Sequence, residues 1–245
     1  MIVKSKRKKD ACVNIKLTNN DGSHVCIERR NYVKYLGVIL DDSLSWKNHI
    51  SFICTRISRN SGIFLKLRHY LPLKQLKQIY YNLIYPYISY AIEAWGSATS
   101  INLKRVQTKQ NHIIRIIFFA TLYGKDTESA KPLINLLNIL TVENIFKLHV
   151  LKFVHNWFNN KFPYSFDGAF TKASEMHSYN TRYASKGNLY KIKVHTNVGK
   201  QKLTYIAAEI WADLPFQIKT LGMANFVNQT KSHLLSKQSF LNDNL

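Results

Sequence analysis

The stretch Tyr35-Leu-Gly-Val-Ile-Leu-Asp-Asp-Ser-Leu-Ser-Trp-Lys-Asn-His-Ile50 separates two kinds of chain. Before it the apolar residues tend to alternate: Val13, Ile15 and Leu17, then Val25 and Ile27, then Val33, Tyr35 and Val38. A period of two suits short strands. Asn19-Asn20-Asp21-Gly22 is a turn signal, because these residues tolerate the positive φ of a tight hairpin. A small antiparallel sheet of three short strands is expected, and a sheet of that size needs another surface to pack on. After the stretch the spacing becomes helical. At about 100° per residue, Trp46, Ile50, Ile53, Ile57 and Phe64 share an arc of about 60°, with Arg59 and Lys66 opposite.

The junction carries Asp41 and Asp42, and paired acids at a strand turn suggest nucleotidyl transfer. That chemistry needs carboxylates from separate strands to hold two cations about 4 Å apart. Asp41 and Asp42 are the only adjacent acids, and Asp10, Asp21 and Glu28 lie in turn-like or charged contexts that supply no third ligand. Acids just before a helix instead satisfy free N–H groups and complement its dipole. With Ser43 they are read as a helix cap, and no catalytic or metal-binding residue is assigned. The nine histidines show no zinc-protease spacing, and neither a nucleophile elbow nor a phosphate-cradling glycine loop occurs. Cys54, near the apolar face of the first helix, reads as a buried thiol.

Downstream, Pro72 breaks the pattern and a second helix carries Leu76, Ile79, Tyr80, Leu83 and Ile84, until Pro86 kinks or ends it. The segment 87–95 has no polar face and reads as a helix buried on most sides, closed by Gly96. A third helix follows Ser100, with Leu103, Val106, Gln110, Ile113, Ile114 and Ile117 inward and Lys104, Arg105, Lys109 and Arg115 outward or flanking. After a short segment at 129–137, Thr141 caps a helix with Val142, Ile145, Phe146, His149, Phe153 and Trp157 on one side, so His149 is expected to be a satisfied core histidine. Past Phe162-Pro163 the chain is loop-rich, with a strand expected at 189–194. Two shorter helices close it, one through Leu203, Ile206, Ala207, Ile210 and Trp211, another around Phe226 and Leu234, with a frayed end at 242–245.

A chain of 245 residues, 46% of them hydrophobic, can build a sizeable core. Lys and Arg outnumber Asp and Glu by 35 to 14, a net charge of +21 that favours polyanions through counterion release. Nucleic acid, RNA or DNA, leads as partner class, ahead of an acidic protein or membrane surface. Between Trp46 and Phe119 stand Lys47, Arg56, Arg59, Lys66, Arg68, Lys74, Lys77, Lys104, Arg105, Lys109 and Arg115, opposed by Glu93 alone. An ordinary solvated surface mixes signs. Cys12, Cys26 and Cys54 form no C-x-x-C pair, which argues against a disulfide framework and fits a reduced intracellular compartment. No apolar run approaches the ~18 residues of a membrane span, and no signal region follows the first charges, so a soluble protein is expected. Lys6-Arg7-Lys8-Lys9 is either a nuclear import signal or a solvated, phosphate-contacting tail, which leaves nucleus and cytoplasm both open.

Several stretches together resemble a known family. Tyr35-Leu-Gly-Val-Ile-Leu-Asp41 followed by Leu44-Ser-Trp46 and His49-Ile50 is similar to the segment after the polymerase palm in reverse transcriptases of LINE-type (non-LTR) retrotransposons of the jockey kind. Tyr80-Tyr-Asn-Leu-Ile-Tyr-Pro86, Tyr90-Ala-Ile-Glu-Ala-Trp-Gly96 and Gln107-Thr-Lys-Gln-Asn-His-Ile-Ile-Arg115 resemble their helical thumb. His177-Ser-Tyr-Asn-Thr-Arg182, Gly199-Lys200, Tyr205, Ile210-Trp211 and Leu214-Pro215 resemble their C-terminal tail. No single motif is diagnostic; order and spacing carry the likeness.

The resemblance implies a mainly α fold: a small N-terminal antiparallel β-hairpin or sheet, then a helical thumb-like bundle, then a loop-rich α tail. The expected divisions are 1–42, 43–160 and 161–245. It places the family's catalytic acids upstream of Met1, in an early palm strand and a Tyr-x-Asp-Asp turn. The chain alone is then expected to be inactive as an RNA-directed DNA polymerase and to need no cofactor, Mg belonging to that palm site. A thumb of this kind holds the template–primer duplex through sugar and phosphate contacts. The residues expected to do so are Arg56, Arg59, Lys66 and Arg68, then Lys104, Arg105 and Lys109. The competing reading is a co-opted helical interaction module or a transposon relic with no present role.

Overall fold

The computed structural model describes residues 16–18, 21–26, 30–119, 130–176, 179 and 181–243. Outside the described residues lie the Lys6–Lys9 cluster, Asp10, Val13, Ile15, Asn19, Asn20, Ile27, Glu28, and His177, Ser178 and Asn180 of the tail motif. The chain forms two compact units, Met1–Phe52 and Ile53–Leu245.

In the first unit, β1 (Lys16–Thr18) pairs antiparallel with β2 (His24–Cys26), Thr18 opposite His24. The expected turn precedes β2: Asp21 Oδ1 accepts hydrogen bonds from the Ser23 amide (2.9 Å) and hydroxyl (2.6 Å), and Gly22 takes φ +81°. Next, β3 (Tyr32–Tyr35) pairs antiparallel with β4 (Val38–Asp41). The expectation of one three-stranded sheet is corrected here, because the strands form two separate ribbons. Val33, Tyr35 and Val38 do not share one strand, because Leu36 (φ +45°) and Gly37 (φ +82°) reverse the chain between Tyr35 and Val38. Two consecutive positive φ values match the twist of a two-residue hairpin.

Asp41 ends β4 and is buried. Its Oδ1 accepts from the Ser43 hydroxyl (2.7 Å) and from the amides of Ser43 (3.2 Å) and Ser45 (2.8 Å), while Oδ2 accepts from the Trp46 amide (2.9 Å). Burial alone would raise this carboxyl, but the hydrogen bonds from Ser45, Ser43 and Trp46 outweigh it and hold it below the usual range. The capping expectation is therefore met by Asp41 in a shifted form. Its bonds gather the turn that enters α1 (Lys47–Leu67) rather than the first amides inside the helix, and Trp46, at φ +61°, stands just outside. His49, on the first turn, is buried and accepts through Nδ1 from the Ile39 amide of β4 (3.3 Å). Burial pulls its imidazole down to about 4, so it stays neutral.

In the second unit, Ile53, Ile57 and Phe64 of α1 are fully buried, as their spacing requires. Pro72 precedes α2 (Leu73–Leu83), and Pro86 sits in the first turn of α3 (Tyr85–Ser89), so the break falls where a ring without an N–H is tolerated. The helix expected over 87–95 is interrupted: Tyr90 is extended, Ala91 is left-handed (φ +49°), and α4 (Ile92–Trp95) is a separate turn. The Trp95 indole N–H donates to the Tyr90 carbonyl (2.9 Å) and seals the break. Gly96 closes α4, and a Cβ there would lie 2.2 Å from the Phe146 ring.

Helix α5 (Ser100–Phe119) follows, then α6 (Ala130–Leu136) and α7 (Val142–Phe158). Thr141 caps α7 as expected, accepting from the Asn144 amide. The α5 amide chains supply the rest of this junction. Gln110, fully buried, donates to the Tyr80 hydroxyl (2.8 Å) and the Leu140 carbonyl (2.9 Å), and accepts from Gln107 (2.8 Å). Gln107 in turn accepts from the Val142 amide (2.8 Å). From the far end of the chain, Gln238 of α11 (Met223–Asp243) accepts from the Thr141 amide (3.1 Å) and donates to the Ile139 carbonyl (3.2 Å).

Beyond α7 the chain runs through two short 3-10 turns (Tyr164–Ala169 and Ala173–Glu175), α8 (Asn197–Lys200), α9 (Leu203–Ala212) and α10 (Phe216–Lys219). The strand expected at 189–194 is absent: Leu189 makes one isolated bridge, to Lys172. The last helix, expected to be short, has 21 residues. Helix α7 is the central rod, in contact with α3, α4, α5, α9 and α11. The architecture is a small antiparallel hairpin region followed by a predominantly α-helical, loop-rich body.

Three outcomes follow. Gln110→Leu leaves the Leu140 carbonyl and Tyr80 hydroxyl without their shared donor and lowers unfolding stability by about 1–3 kcal/mol, read in urea. Asp41→Asn keeps one acceptor oxygen and turns an amide N–H toward the donors of its turn, at a similar cost of about 1–3 kcal/mol. His49 stays neutral when folded but takes a proton near its ordinary value when unfolded. Stability is therefore full above about pH 6.5 and is lost as pH falls toward about 4, and His49→Gln flattens that slope.

Candidate nucleic-acid interface

Helix α1 turns Arg56, Arg59 and Lys66 outward, and all three are exposed. With Ile63 they follow spacings of three, four and three, so they share one stripe along the helix. Arg68 lies just past α1 and is half-buried, its Nε donating to His69 Nε2 (3.3 Å). On α5, Lys104 and Arg105 are exposed and Lys109 is half-buried. Arg105 and Lys109, one turn apart, both act on the buried Cys54 thiol: burial pushes the thiol up, and the two cations draw it partly back. Cys54 is thus the expected inert thiol, and it marks where α5 cations approach α1. Arg59 and Lys66 lie about 120–140° around α1 from Cys54, at about 100° per residue. The expected residues therefore form two groups: Arg105 with Lys109 beside Cys54, and the Arg56, Arg59 and Lys66 stripe.

The acid of this block is committed elsewhere. Glu93 of α4 accepts from His149 Nδ1 of α7 (3.0 Å). Burial would raise its carboxyl, but the His149 hydrogen bond and the charges of His149 and Lys152 hold it below the usual range. His149, expected as a satisfied core histidine, is satisfied but only half-buried. The buried one is His155, whose Nε2 donates to the Leu221 carbonyl (2.8 Å), whose Nδ1 accepts from the Asn159 side chain (3.3 Å) and whose ring stacks on Phe226 at 4.0 Å. Both ring nitrogens of His155 thus have partners within the fold.

The tail motif residues hold structure. The Trp211 indole donates to the Gly187 carbonyl (2.8 Å), and Lys219, pulled down to about 8 by burial and the Lys186 charge, donates to Asn188 Oδ1 (2.7 Å). Gly199 packs against Val194, where a Cβ would lie 2.1 Å from a methyl group. Sequence reasoning missed where α11 packs: Lys231 reaches the Tyr81 ring of α2, a contact between distant parts of the chain that no local pattern announces. Among the described residues, no group of three or more His, Cys, Asp or Glu could hold a metal ion, and no helix is long and apolar enough to cross a membrane.

No family model matches the chain, and no solved structure matches it. Curated proteins do. A probable RNA-directed DNA polymerase from transposon X-element of Drosophila melanogaster is 31% identical over 106 residues, 42% of this chain and 12% of that protein. An RNA-directed DNA polymerase from mobile element jockey of Drosophila funebris is 32% identical over 123 residues, 46% of this chain and 13% of the relative. A probable RNA-directed DNA polymerase from transposon BS of Drosophila melanogaster is 26% identical over 132 residues, 53% of this chain and 14% of the relative. Over stretches that span 12% to 15% of those relatives' lengths, the chain is homologous to the reverse transcriptases of non-LTR retrotransposons as a general family.

Proposed function

We propose that this chain is the nucleic-acid-holding part of a jockey-like reverse transcriptase, comprising the end of the palm, the thumb and the tail, without the catalytic carboxylates. The observation that carries the reading is the charge of the α1–α5 block. Arg56, Arg59, Lys66, Lys104 and Arg105 are exposed there, and the one acid between Trp46 and Phe119, Glu93, is held by His149. An excess of cations over acids on helix surfaces favours phosphate through counterion release, with little base readout. Asp41 supports the second half of the reading, since both its oxygens are occupied by the turn into α1. The ligand is an RNA–DNA duplex, or RNA or DNA alone, gripped by its backbone; the compartment is the reduced cell interior, nuclear or cytoplasmic.

Fluorescence anisotropy with a labelled RNA–DNA duplex between about 50 and 200 mM salt tests this. The logarithm of affinity should fall linearly with that of salt, and Arg59→Gln or Lys66→Gln should each reduce the slope by about one. Primer extension with Mg and nucleotides should give no product. Binding that ignores salt, or is absent at low salt, overturns the reading, and a stable protein partner in its place makes the chain an interaction module.

A further inference from the structure

Lys77 and Lys231 belong to α2 and α11, far apart in sequence, yet the charge of Lys77 acts on Lys231, which lies over the Tyr81 ring. The Lys231 ammonium lies 5.5 Å over the Tyr81 ring. Lys77 precedes Tyr81 by one helical turn and shares its face of α2. Both lysines are half-buried. Burial, then the charge of Lys77, pulls the Lys231 ammonium below its ordinary value, and no carboxylate acts in the other direction. Among the described residues neither ammonium has a carboxylate partner. Glu93 is reached only through the rings of Tyr81 and Tyr85, which lie 5.3 Å apart, and it is bound to His149. Burial also pushes both of these phenols up, so they remain neutral hydroxyl groups beside the two cations.

Two like charges withdrawn from water oppose each other and the fold. Long lysine chains ordinarily avoid this by extending their heads into solvent or by pairing with an acid. Lys231 instead lies over a ring, where the π face offsets only part of the cost. An oxyanion between the two ammonium groups offsets their repulsion and the cost of burying Lys231. We propose that Lys77 and Lys231, with the Tyr81 ring, form a phosphate site that takes one phosphoryl group, from a nucleic-acid backbone or as free phosphate. It rests on the function proposed above only for the backbone source.

The test uses the full chain with Lys77→Gln, Lys231→Gln and Lys77→Arg. Phosphate is compared with chloride at equal ionic strength by thermal unfolding, and an RNA–DNA duplex is titrated by anisotropy at several salt concentrations. Phosphate should raise the wild-type midpoint by a few degrees; either Gln variant should lose that rise, and Lys77→Arg should keep it. Duplex affinity should fall about tenfold in the Gln variants, with a slope smaller by about one. Without phosphate, Lys77→Gln should melt no lower than wild type, because it relieves repulsion. A duplex effect without a phosphate effect supports the backbone source, and the converse supports free phosphate. Wild type that binds duplex while the Gln variants lose neither response overturns this site alone. Wild type that binds no duplex but shows the Lys77-dependent phosphate response overturns the proposed function and leaves the site standing. No response to either ligand overturns both.

Discussion

The helical body depends on how the start of α7 is held. Residues 137–144 form a sharp junction in which Leu137, Ile139, Leu140 and Val142 are buried, and a buried unpaired peptide group costs about as much as a lost hydrogen bond. Three glutamines resolve it. Gln107 and Gln110 reach it from α5 and Gln238 from α11, contributing acceptors to Thr141 and Val142 and donors to Ile139 and Leu140. Gln110 also binds the Tyr80 hydroxyl, so α2 is fixed by the same group. Each amide is bonded on both its oxygen and its nitrogen, the condition under which a buried polar network orders a core rather than loosening it.

With α7 set, the charge pattern of the bundle follows. Its Phe146 ring closes on Gly96, and its His149 takes Glu93, the one acid of the α1–α5 block. In the second half of the chain Lys147 pairs with Glu143, Lys172 with Glu175 and Lys191 with Glu209. Packing thus consumes the acid and leaves the cations of α1 and α5 at the surface.

Much of this was legible because it is periodic or local. Ile50, Ile53, Ile57 and Phe64 announce α1, Thr141 announces the start of α7, and Asp21-Gly22 announces the first hairpin. What failed to show was conformational or remote. Nothing about Leu36 or Ala91 signals a left-handed backbone, since neither gains from it locally; the hairpin at Leu36-Gly37 and the break before α4 are imposed by their surroundings. The alternation at 189–194 looked like a strand, but a strand exists only with a partner, and there only Leu189 bridges to Lys172. For the site, the excess of cations was plain in the composition, while their grouping beside Cys54 or Tyr81 depends on which helices cross.

The acids Asp41 and Asp42 show why residue type alone misleads. A carboxylate that is to bind two metal ions must keep oxygens directed at open space, with other carboxylates converging on the same point. Asp41 does the reverse: buried, it turns both oxygens to the amides and hydroxyl of the following turn, and the hydrogen bonds lower its proton affinity enough to keep it charged without a cation. A chain with net charge +21 has strong reason to retain such an acid, since each carboxylate also offsets self-repulsion. The remaining excess is large, and a polyanion that bound only the folded form would stabilise that form. Under the proposed function, charge that weakens the isolated fold and charge that would bind phosphate are the same side chains.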